Sequence, residues 1–532
     1  MNEALGLWQR AALLRAGLAR PSNTFVSFPE PRPRGLAARG IQYTSGNFII
    51  DGEVVEAPDQ SIWDVGQTSK SHRTAALSFE WVDDLVATGS KTSLNLMRDW
   101  FAGWQGQSDQ PLSDVWDPYL VAHRLIRLLN HGTVFLQGLN GDQQRPYFAT
   151  VTKQFRYLSY TWRQTDEGLP RITALVSLIF AAHATEATTP EIERYVTALG
   201  EACADLISED GGIASRNPEE LMQVFSLLSW TSRVVEALEL PQNKQILKAL
   251  ERVAPALRAL RFANGNLAVF QGGGAGMLGR LDQALADGRV RIPAHPEGAM
   301  GYQRMSASRS MLLVDAGPSV SLPSLGALEF AVGRHQVFAN SGASNSFGEE
   351  WAEKGRRSIA HSMVVMNRAD TSLNAEPPTV TRQDTPNGET LILQHNGYRS
   401  SYGLTVERTL TLSHDGRSLG GEDRIFVADA QARKTFDSVA RGAAKLRVPI
   451  SIHFHLAMET DAEINLGGTI LSIKLANDQV WGFRQAGGKL TLKPSVLMTP
   501  NRLRPLPSQQ IQITGDVSGD GLKIGWLLER LS

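Results

Sequence analysis

The stretch GYQRMSASRSMLLVDAG, residues 301–317, marks the place where the chain changes its pattern of apolar residues. GALEFAVGRHQVFANSGAS (326–344) and RRSIAHSMVVMNR (356–368) continue as short apolar runs, and turn signals such as HDGR and AGG separate the later ones. Many short strands with dense turns and almost no helix are typical of an antiparallel β-sandwich. We therefore predict a β-sandwich over residues 300–532. Its predicted strands lie near residues 309–315, 326–332, 335–340, 361–366, 389–395, 404–412, 422–427, 449–456, 469–475, 479–484 and 488–492.

Upstream of this boundary, apolar residues recur at three- and four-residue spacing, which indicates helices. Successive helices with short loops and no interleaved strands predict helical hairpins that curl into an incomplete α/α toroid over residues 80–290. The run Asn217-Pro218-Glu219-Glu220 is a typical helix start, because it combines an Asn cap, an early proline and acids near the positive end of the helix dipole. The predicted helices lie near residues 81–104, 117–138, 145–163, 169–185, 190–208, 217–238 and 243–262.

Residues 1–79 are predicted to form one helix followed by an irregular, partly β-like segment. The helix, residues 4–20, has an apolar face flanked by basic residues, namely Leu7, Ala11, Leu14 and Leu18 beside Arg10, Arg15 and Arg20. Such a helix fits peripheral contact with a membrane surface. It also fits a terminal helix docked on the body of the protein, which is the commoner role of amphipathic helices and the one that we favour.

Length and composition exclude several classes of protein. A chain of 532 residues is too long for one hydrophobic core, and its formal net charge of -1 gives no reason to predict a nucleic-acid partner. The single cysteine, Cys203, excludes an intramolecular disulfide and a cysteine zinc site. No apolar stretch approaches the ~20 residues of a membrane-spanning helix, and Arg10 and Arg15 interrupt any signal peptide. We therefore expect a cytoplasmic protein, whose oligomeric state the sequence does not predict.

Several segments resemble the heparinase II/III-like polysaccharide lyases, and together they cover most of the chain. They are EAPDQSIWDV (56–65), DGGIASRNPEELMQVFSLLSW (210–230), LAVFQGGGAGMLGRLD (267–282), MGYQRMSASRSMLLVDAG (300–317) and RRSIAHSMVV (356–365). The resemblance implies a toroid followed by a β-sandwich, with an acidic polysaccharide such as a glycosaminoglycan in the cleft between them. It implies β-elimination at a uronate without a cofactor, and a periplasmic location if the family habit holds.

The implied reaction removes a weakly acidic proton from C5 of the uronate, so the site needs a positioned base and a cation or amide that stabilises the developing charge. In the family these roles fall to an Asn or His in a toroid helix, a Tyr after a D-G-G turn and a His in the first strands. This chain departs from the pattern at each place. Arg171, Glu220 and Ser324 stand where those residues are expected.

The candidate site residues are those that remain near these positions. The predicted catalytic residues are His361, Glu220 and Tyr302, and the predicted uronate clamp consists of Arg171, Arg216, Arg356 and Arg357, since a guanidinium fork suits a carboxylate. Four of them also have a plain structural interpretation. His361 fits a hydrogen-bonded core residue, and Glu220 fits an acid at a helix N-terminus. Arg216 fits a residue that binds backbone carbonyls or pairs with Glu219, and Tyr302 fits packing between the two domains.

Three functions stay open at this point. The leading hypothesis is a lyase acting on a uronate-containing polysaccharide. The second is a non-catalytic relative that binds a glycan or envelope polymer, and the third is a hydrolase with paired carboxylates such as Asp210 and Glu219 or Glu220. No metal is predicted, because His453 and His455 could supply only half a site and Asn340 stands where an Asp ligand would be expected.

Overall fold

A computed structural model describes residues 4–26, 35–50, 52–185, 187–276, 279–343, 347–441, 447–465, 467–499 and 502–531. Helices fill most of the chain before Gly298, and antiparallel strands fill most of the remainder. The predicted order of a helical toroid followed by an antiparallel β-sandwich is confirmed. The part of the chain that the structure describes contains no helix long and apolar enough to cross a membrane.

The helices of the first half pack around a large apolar core that also includes Phe48 and Trp63 from the N-terminal segment. They are α1 Leu7–Gly17, α2 Ala37–Thr44, α3 Ile62–Val65, α4 Lys70–Ser78, α5 Glu80–Ala87, α6 Lys91–Ser108, α7 Pro118–Asn130, α8 Gly132–Leu136, α9 Gly141–Thr161, α10 Leu169–Ala184, α11 Thr189–Leu206, α12 Pro218–Ala237, α13 Lys244–Ala259 and α14 Arg280–Gly288. A hairpin of β1 (Asn47–Ile50) and β2 (Glu53–Glu56) interrupts them.

Local capping explains where these helices begin and end. The side chain of Asn217 accepts hydrogen bonds from the backbone nitrogens of Glu219 (2.9 Å) and Glu220 (3.2 Å), so the predicted start of α12 is confirmed. The predicted helix 81–104 is instead two helices, because Gly89 takes a positive φ of 64° and Ser90 caps a new helix. Sequence periodicity missed this break since both pieces keep helical spacing.

Two antiparallel sheets form the second half. One follows the order β14-β15-β16-β19-β12-β11-β10-β9, and the other follows β17-β18-β13-β7-β6-β5-β4-β3, with β8 paired to β13. The strands are β3 Gly298–Ala299, β4 Tyr302–Ala307, β5 Ser310–Asp315, β6 Leu328–Val332, β7 His335–Ala339, β8 Val364–Met366, β9 Thr379–Thr385, β10 Gly388–Tyr398, β11 Leu404–Leu412, β12 Ser418–Phe426, β13 Val448–Leu456, β14 Thr460–Ile464, β15 Ile470–Leu475, β16 Val480–Ala486, β17 Lys489–Leu497, β18 Leu506–Val517 and β19 Leu522–Arg530. Side chains from both sheets meet in a second apolar core, for example Leu391, Phe454 and Trp481.

Short helices also occur among the strands, which the sequence did not predict. They are α15 Glu349–Gly355, α16 Arg399–Tyr402 and α17 Ala430–Arg441. The strands β9, β14, β18 and β19 were not predicted either. Of these, β18 and β19 are central, since β18 lies between β13 and β17, and β19 lies between β12 and β16.

The N-terminal helix α1 docks on α9, which is the interpretation that we favoured. The docked side carries the small residues Ala12 and Ala16. The larger residues face solvent instead, and the exposed fractions are 88% for Leu7, 73% for Leu14 and 87% for Leu18. We call these three residues the leucine face. Its exposure leaves an apolar surface that the docking of α1 does not explain.

Candidate functional site

The two halves of the chain meet at a buried polar network, which we call the junction and which consists of Arg216, Gln271, Tyr302, Asp315 and Ser324. The guanidinium of Arg216 donates from Nε to the carbonyl of Met300 (2.8 Å) and from Nη2 to Oδ1 of Asp315 (2.5 Å). Its Nη1 donates to the carbonyl of Pro318. Every guanidinium nitrogen of this predicted clamp residue therefore has a protein partner.

The charge of Arg216 is stabilised inside the protein. Its side chain is only 6% exposed, and burial by itself would lower its pKa. The charge and hydrogen bond of the neighbouring Asp315 carboxylate, together with Tyr302, outweigh burial, so the pKa of Arg216 is raised. Because this pair is already neutral, Arg216 offers little net charge to an incoming uronate.

Tyr302 lies in the same network. Its hydroxyl donates to the backbone carbonyl of Arg216 (2.6 Å), and its ring stacks on Phe270 with centroids 4.8 Å apart. The side chain is 1% exposed, and burial together with Asp315 raises the pKa of Tyr302 well above its ordinary value. These contacts suit interdomain packing, the alternative that the sequence left open for this tyrosine.

The glycine-dense segment around Gln271 holds the junction together. The Gln271 amide donates to Oγ of Ser324 (2.8 Å), and its carbonyl oxygen accepts from the backbone nitrogen of Leu322 (3.1 Å). Ser324 in turn donates to Oδ2 of Asp315 (2.7 Å). The serine that stands in place of the family histidine thus joins the same network, through an aspartate that the sequence interpretation missed.

Glu220, Arg171 and Arg357 each bind a partner outside the junction. Glu220 accepts a hydrogen bond from Oγ of Ser215 (2.6 Å) in the first turn of α12. Arg171 donates to Oγ1 of Thr165 (3.0 Å) and to nearby backbone carbonyls. Arg357 forms an exposed ion pair with Asp370 (2.5 Å), and its neighbour Arg356 is exposed at the end of α15.

His361 is buried, with 2% exposure, beside the start of β8. Its Nδ1 lies 3.0 Å from the carbonyl of Arg357, so Nδ1 carries the proton and donates it. Burial lowers the pKa of His361, and the imidazole is therefore neutral near pH 7. A neutral imidazole is able to act as a base, but its role in any reaction stays a prediction.

The ring nitrogens of the paired histidines of β13 already have hydrogen-bond partners within the protein. His455 contacts Oγ of Ser495 (2.7 Å) and the carbonyl of Ile359 (3.0 Å). His453 contacts Oγ of Ser451 (2.7 Å) and Oε1 of Gln510 (2.8 Å). Within the described ranges, three or more potential metal ligands do not come together at any point.

A cavity of about 300 Å³ lies in the helical half, and its lining residues come from α2, α5, α7, α10, α12, α14 and the segment just before α2. We call it the helical cavity. The cavity is not visible in the sequence, because its walls combine residues from six helices. Its charged lining residues are Arg39, Glu80, Asp83, Asp84, Arg127, Glu219 and Arg280.

Two ion pairs form one wall of the helical cavity. Asp83 accepts from Nε of Arg127 (2.8 Å) and contacts Nε2 of His131 (2.8 Å); burial would raise the pKa of Asp83, but these two neighbours lower it. Asp84 lies 3.4 Å from Nη1 of Arg39, and burial raises the pKa of Asp84 to about 6. Two of the three cavity arginines are therefore paired with aspartates.

His123 adds a neutral polar group to the same wall. Arg127 donates from Nη1 to Nδ1 of His123 (2.8 Å), and burial lowers the pKa of His123 to about 3. The neutral ring then carries its proton on Nε2, which has no hydrogen-bond partner among the described residues. No clear signal for this region is present in the sequence. Arg127 lies off the leucine stripe of α7, where an exposed side chain is expected, but the structure buries it.

A known protein family matches the C-terminal half of the chain. Residues 292–527 match the family described as Heparinase II/III-like, C-terminal. The C-terminal half is a heparinase II/III-like domain. The resemblance predicted from the sequence is thereby confirmed for this part of the chain.

Solved structures extend the likeness to the whole fold. Heparinase III superposes with a TM-score of 0.68 at 12% identity, covering 98% of this chain and 89% of that one. Heparan sulfate lyase HepC from Pedobacter heparinus gives a TM-score of 0.55 at 12% identity, with 98% and 87% covered. At this identity the likeness shows the fold alone.

A curated protein matches nearly the full length of this chain. It is FtsZ-localized protein C from Caulobacter vibrioides, 24% identical over 552 residues, covering 97% of this chain and 92% of the relative. Its name describes a location with FtsZ and states no enzymatic reaction.

Proposed function

We propose that this protein is a non-catalytic relative of the heparinase II/III-like lyases that acts by binding. The bond between Arg216 and Asp315 carries this proposal, because β-elimination needs a cation that is available to the substrate carboxylate. Tyr302 and His361, two of the three predicted catalytic residues, are buried together with it. A polymer in the pocket that Arg216 lines would meet a guanidinium whose nitrogens are already hydrogen-bonded within the protein, and Tyr302 does not line this pocket.

The curated relative supports the same direction. Because the match runs over almost the entire chain, we propose that this protein, too, localises with FtsZ in the cell. Fluorescent tagging of this chain together with FtsZ would test the location, and a diffuse signal would contradict it. The cytoplasmic compartment expected from the sequence stays a prediction, which cell fractionation would test.

The alternative is a polysaccharide lyase that cleaves a uronate-containing polymer by β-elimination. The likeness to heparinase III and to heparan sulfate lyase HepC favours this alternative at the level of fold. Under it, His361 would act as the base, and Arg356 and Arg357 would face the substrate. Partners would then be acidic polysaccharides or oligosaccharides.

Ultraviolet absorbance of the unsaturated uronate separates the two. The protein is incubated with heparan sulfate, chondroitin sulfate and alginate, with heparinase III as the positive control on heparan sulfate. We expect no new absorbance from any polymer. A steady rise that disappears in His361→Ala, while that variant stays folded, would overturn the non-catalytic proposal.

We also propose that the leucine face of α1 lies on an anionic membrane surface. A contiguous patch of exposed leucines marks a contact surface for a protein or a membrane, because leaving the patch in water forgoes the gain from burial. Arg10, Arg15 and Arg20 surround the leucine face. Their positive charge complements acidic lipid headgroups, while the leucines enter the apolar layer beneath them. Trp8, which is 58% exposed, adds a residue that favours the lipid interface.

A further inference from the structure

We infer that the helical cavity binds a small organic ammonium ion, which forms an ion pair with Glu80 and contacts the ring of Tyr119. The inference goes beyond the proposed function, because it concerns a site within the helical half and holds whether or not the protein binds or cleaves a polysaccharide. The cavity is about 300 Å³, which lies at the lower end of the range for small-molecule sites.

The described lining of the helical cavity carries one more negative than positive charge, since it contains four acids and three arginines. Each arginine already interacts with an acid of the lining: Arg39 with Asp84, Arg127 with Asp83 and Arg280 with Glu219. The fourth acid, Glu80, is in excess. A cation in the cavity would therefore balance the charge of the walls, whereas an anionic sugar would be repelled.

Glu80 is also the acid that a ligand can reach. Its side chain is 55% exposed, whereas Asp83 and Asp84 are buried. Its Oε1 lies 3.6 Å from Nη2 of Arg127, and the same arginine donates from Nε to Asp83 at the shorter distance of 2.8 Å. The Glu80 carboxylate is thus held only weakly by the protein and is able to face a ligand cation.

Asp84 shows that negative charge is crowded on this wall. Its Oδ2 has no hydrogen-bond partner in the described part of the chain and lies 3.4 Å from Nη1 of Arg39. Burial raises the pKa of Asp84 to about 6, and the charges of Asp83 and Glu80 act in the same direction. Asp84 is still ionised at pH 7, so a cation beside Glu80 would offset the repulsion among these three acids.

An aromatic surface lies beside the acids. Tyr119 lines the cavity, and burial raises its pKa, with the charge of Glu80 acting in the same direction. The ring of His123 meets Tyr119 edge to face, with centroids 4.4 Å apart. His123 does not repel a cation, because burial lowers its pKa to about 3 and leaves it neutral. A carboxylate next to an aromatic ring suits an organic ammonium ion, which is attracted to both.

The lining favours an organic ion over a metal ion. Within the described ranges, three or more His, Cys, Asp or Glu side chains do not come together as metal ligands. Ile126, Leu169 and Leu227 line the same cavity and provide an apolar surface for the carbon atoms of a ligand.

Isothermal titration calorimetry on the full chain tests the site with four probes, namely choline, ethanolamine, glucuronate and dimethylbutanol, the uncharged carbon analogue of choline. We expect a saturable signal for at least one of the two ammonium ions, binding of dimethylbutanol that is at least about tenfold weaker, and no signal for glucuronate. No binding of either ammonium ion, equal binding of dimethylbutanol, or binding of glucuronate would overturn the inference.

Magnesium chloride tests whether the site is merely a negatively charged hollow. At matched ionic strength it should displace the bound ammonium ion no better than sodium chloride does. Preferential displacement by magnesium would show a site for inorganic cations and would also overturn the inference.

Matched variants test the two residues that contact the ligand. Glu80→Gln should weaken ammonium binding by at least about tenfold, the loss typical of a charged partner, and should change the unfolding temperature little because the side chain is half exposed. Glu349→Gln is the control, since Glu349 is likewise an acid in the first turn of a helix but lies exposed in the β half. Unchanged affinity in Glu80→Gln, or an equal loss in Glu349→Gln, would show that Glu80 is not the anchor.

Two substitutions of Tyr119 separate its ring from its hydroxyl. Tyr119→Leu should weaken ammonium binding severalfold, because it removes the aromatic face. Tyr119→Phe keeps this face and should rescue the affinity. Unaltered affinity in Tyr119→Leu, or an equal loss in both variants, would show that the ring does not contact the ligand.

Discussion

Tyr302 donates its phenolic hydrogen to the backbone carbonyl of Arg216 across 2.6 Å, while the guanidinium of Arg216 lies 4.6 Å from the centre of the Tyr302 ring. Each residue thus fixes the other at the boundary between the helices and the strands. Asp315 completes the arrangement by neutralising Arg216. Arg216 and Tyr302, which the sequence predicted as site residues, use their polar groups to join the two halves. This is the physical basis for proposing a binding protein.

The junction should be a major source of stability. Asp315→Asn leaves the Arg216 charge buried without its partner, and we expect the free energy of unfolding to fall by about 3 kcal/mol or more, as for other broken buried ion pairs. Urea denaturation measures the change. Arg233→Gln removes one partner of the exposed pair with Glu236 and should alter stability by less than about 1 kcal/mol. Equal effects of the two substitutions would mean that the junction is not stabilising.

Glu329 should make stability depend on pH. It is fully buried in β6, where its carboxylate accepts from the backbone nitrogens of Val269 (3.2 Å) and Asn340 (3.0 Å), and burial raises its pKa to about 8. The ordinary pKa is 4.5, so the folded state holds a proton that the unfolded chain releases. The stability contributed by Glu329 is therefore complete below pH 4.5 and is lost as the pH rises through about 8.

Thermal unfolding between pH 6 and pH 9 tests this dependence on Glu329. The variant Glu329→Gln should lose part of the decline seen in the natural chain, because glutamine keeps the shape without the titrating proton. Glu463→Gln, at an exposed strand position, should keep the full decline. If Glu329→Gln and the natural chain decline in parallel, Glu329 does not titrate in this range.

Membrane contact should depend on the leucine face. Leu14→Glu with Leu18→Glu places two acids on this face, and we expect loss of most co-sedimentation with vesicles that contain acidic lipid. The unfolding temperature should not change, since both side chains are exposed. Leu373→Glu, which alters an exposed leucine of the β half, is the control and should bind vesicles normally. Retained sedimentation of the double variant would exclude α1 as the contact.

The D-G-G turn should be required for packing. Gly211 has a φ of 78°, and a Cβ there would overlap the backbone carbonyl of Arg252 in α13. Gly89 has a similar φ of 64°, but no described atom lies within 4 Å of its would-be Cβ. Gly89→Ala should cost about 1 kcal/mol from backbone strain, and Gly211→Ala should cost at least about 2 kcal/mol more from the overlap. Equal losses in urea denaturation would show that the turn can move aside.

Local sequence patterns were sufficient for most of the fold. The alternation in residues 404–412 predicted β11 with its observed ends, and the Asn217-Pro218 run predicted the start of α12. Such features depend only on neighbours in the chain. The hydrogen bonds of a helix cap and the alternation of side chains along a strand each involve only a few consecutive residues. β18 was missed because LPSQQIQITGDV is too polar for a strong strand signal, and its stability comes from pairing with β13 and β17.

The sequence by itself determined the order of a helical half and a β-sandwich, and with it the likeness to the heparinase II/III-like fold. Only the tertiary structure decided what the charged residues do. Asp315 lies 99 positions from Arg216, and Asp83 lies 44 positions from Arg127, so neither pairing is visible in a local pattern. Whether an arginine is open to a ligand depends on whether a distant carboxylate lies within reach of it, and that is why Arg216 was predicted as a clamp although Asp315 already neutralises it.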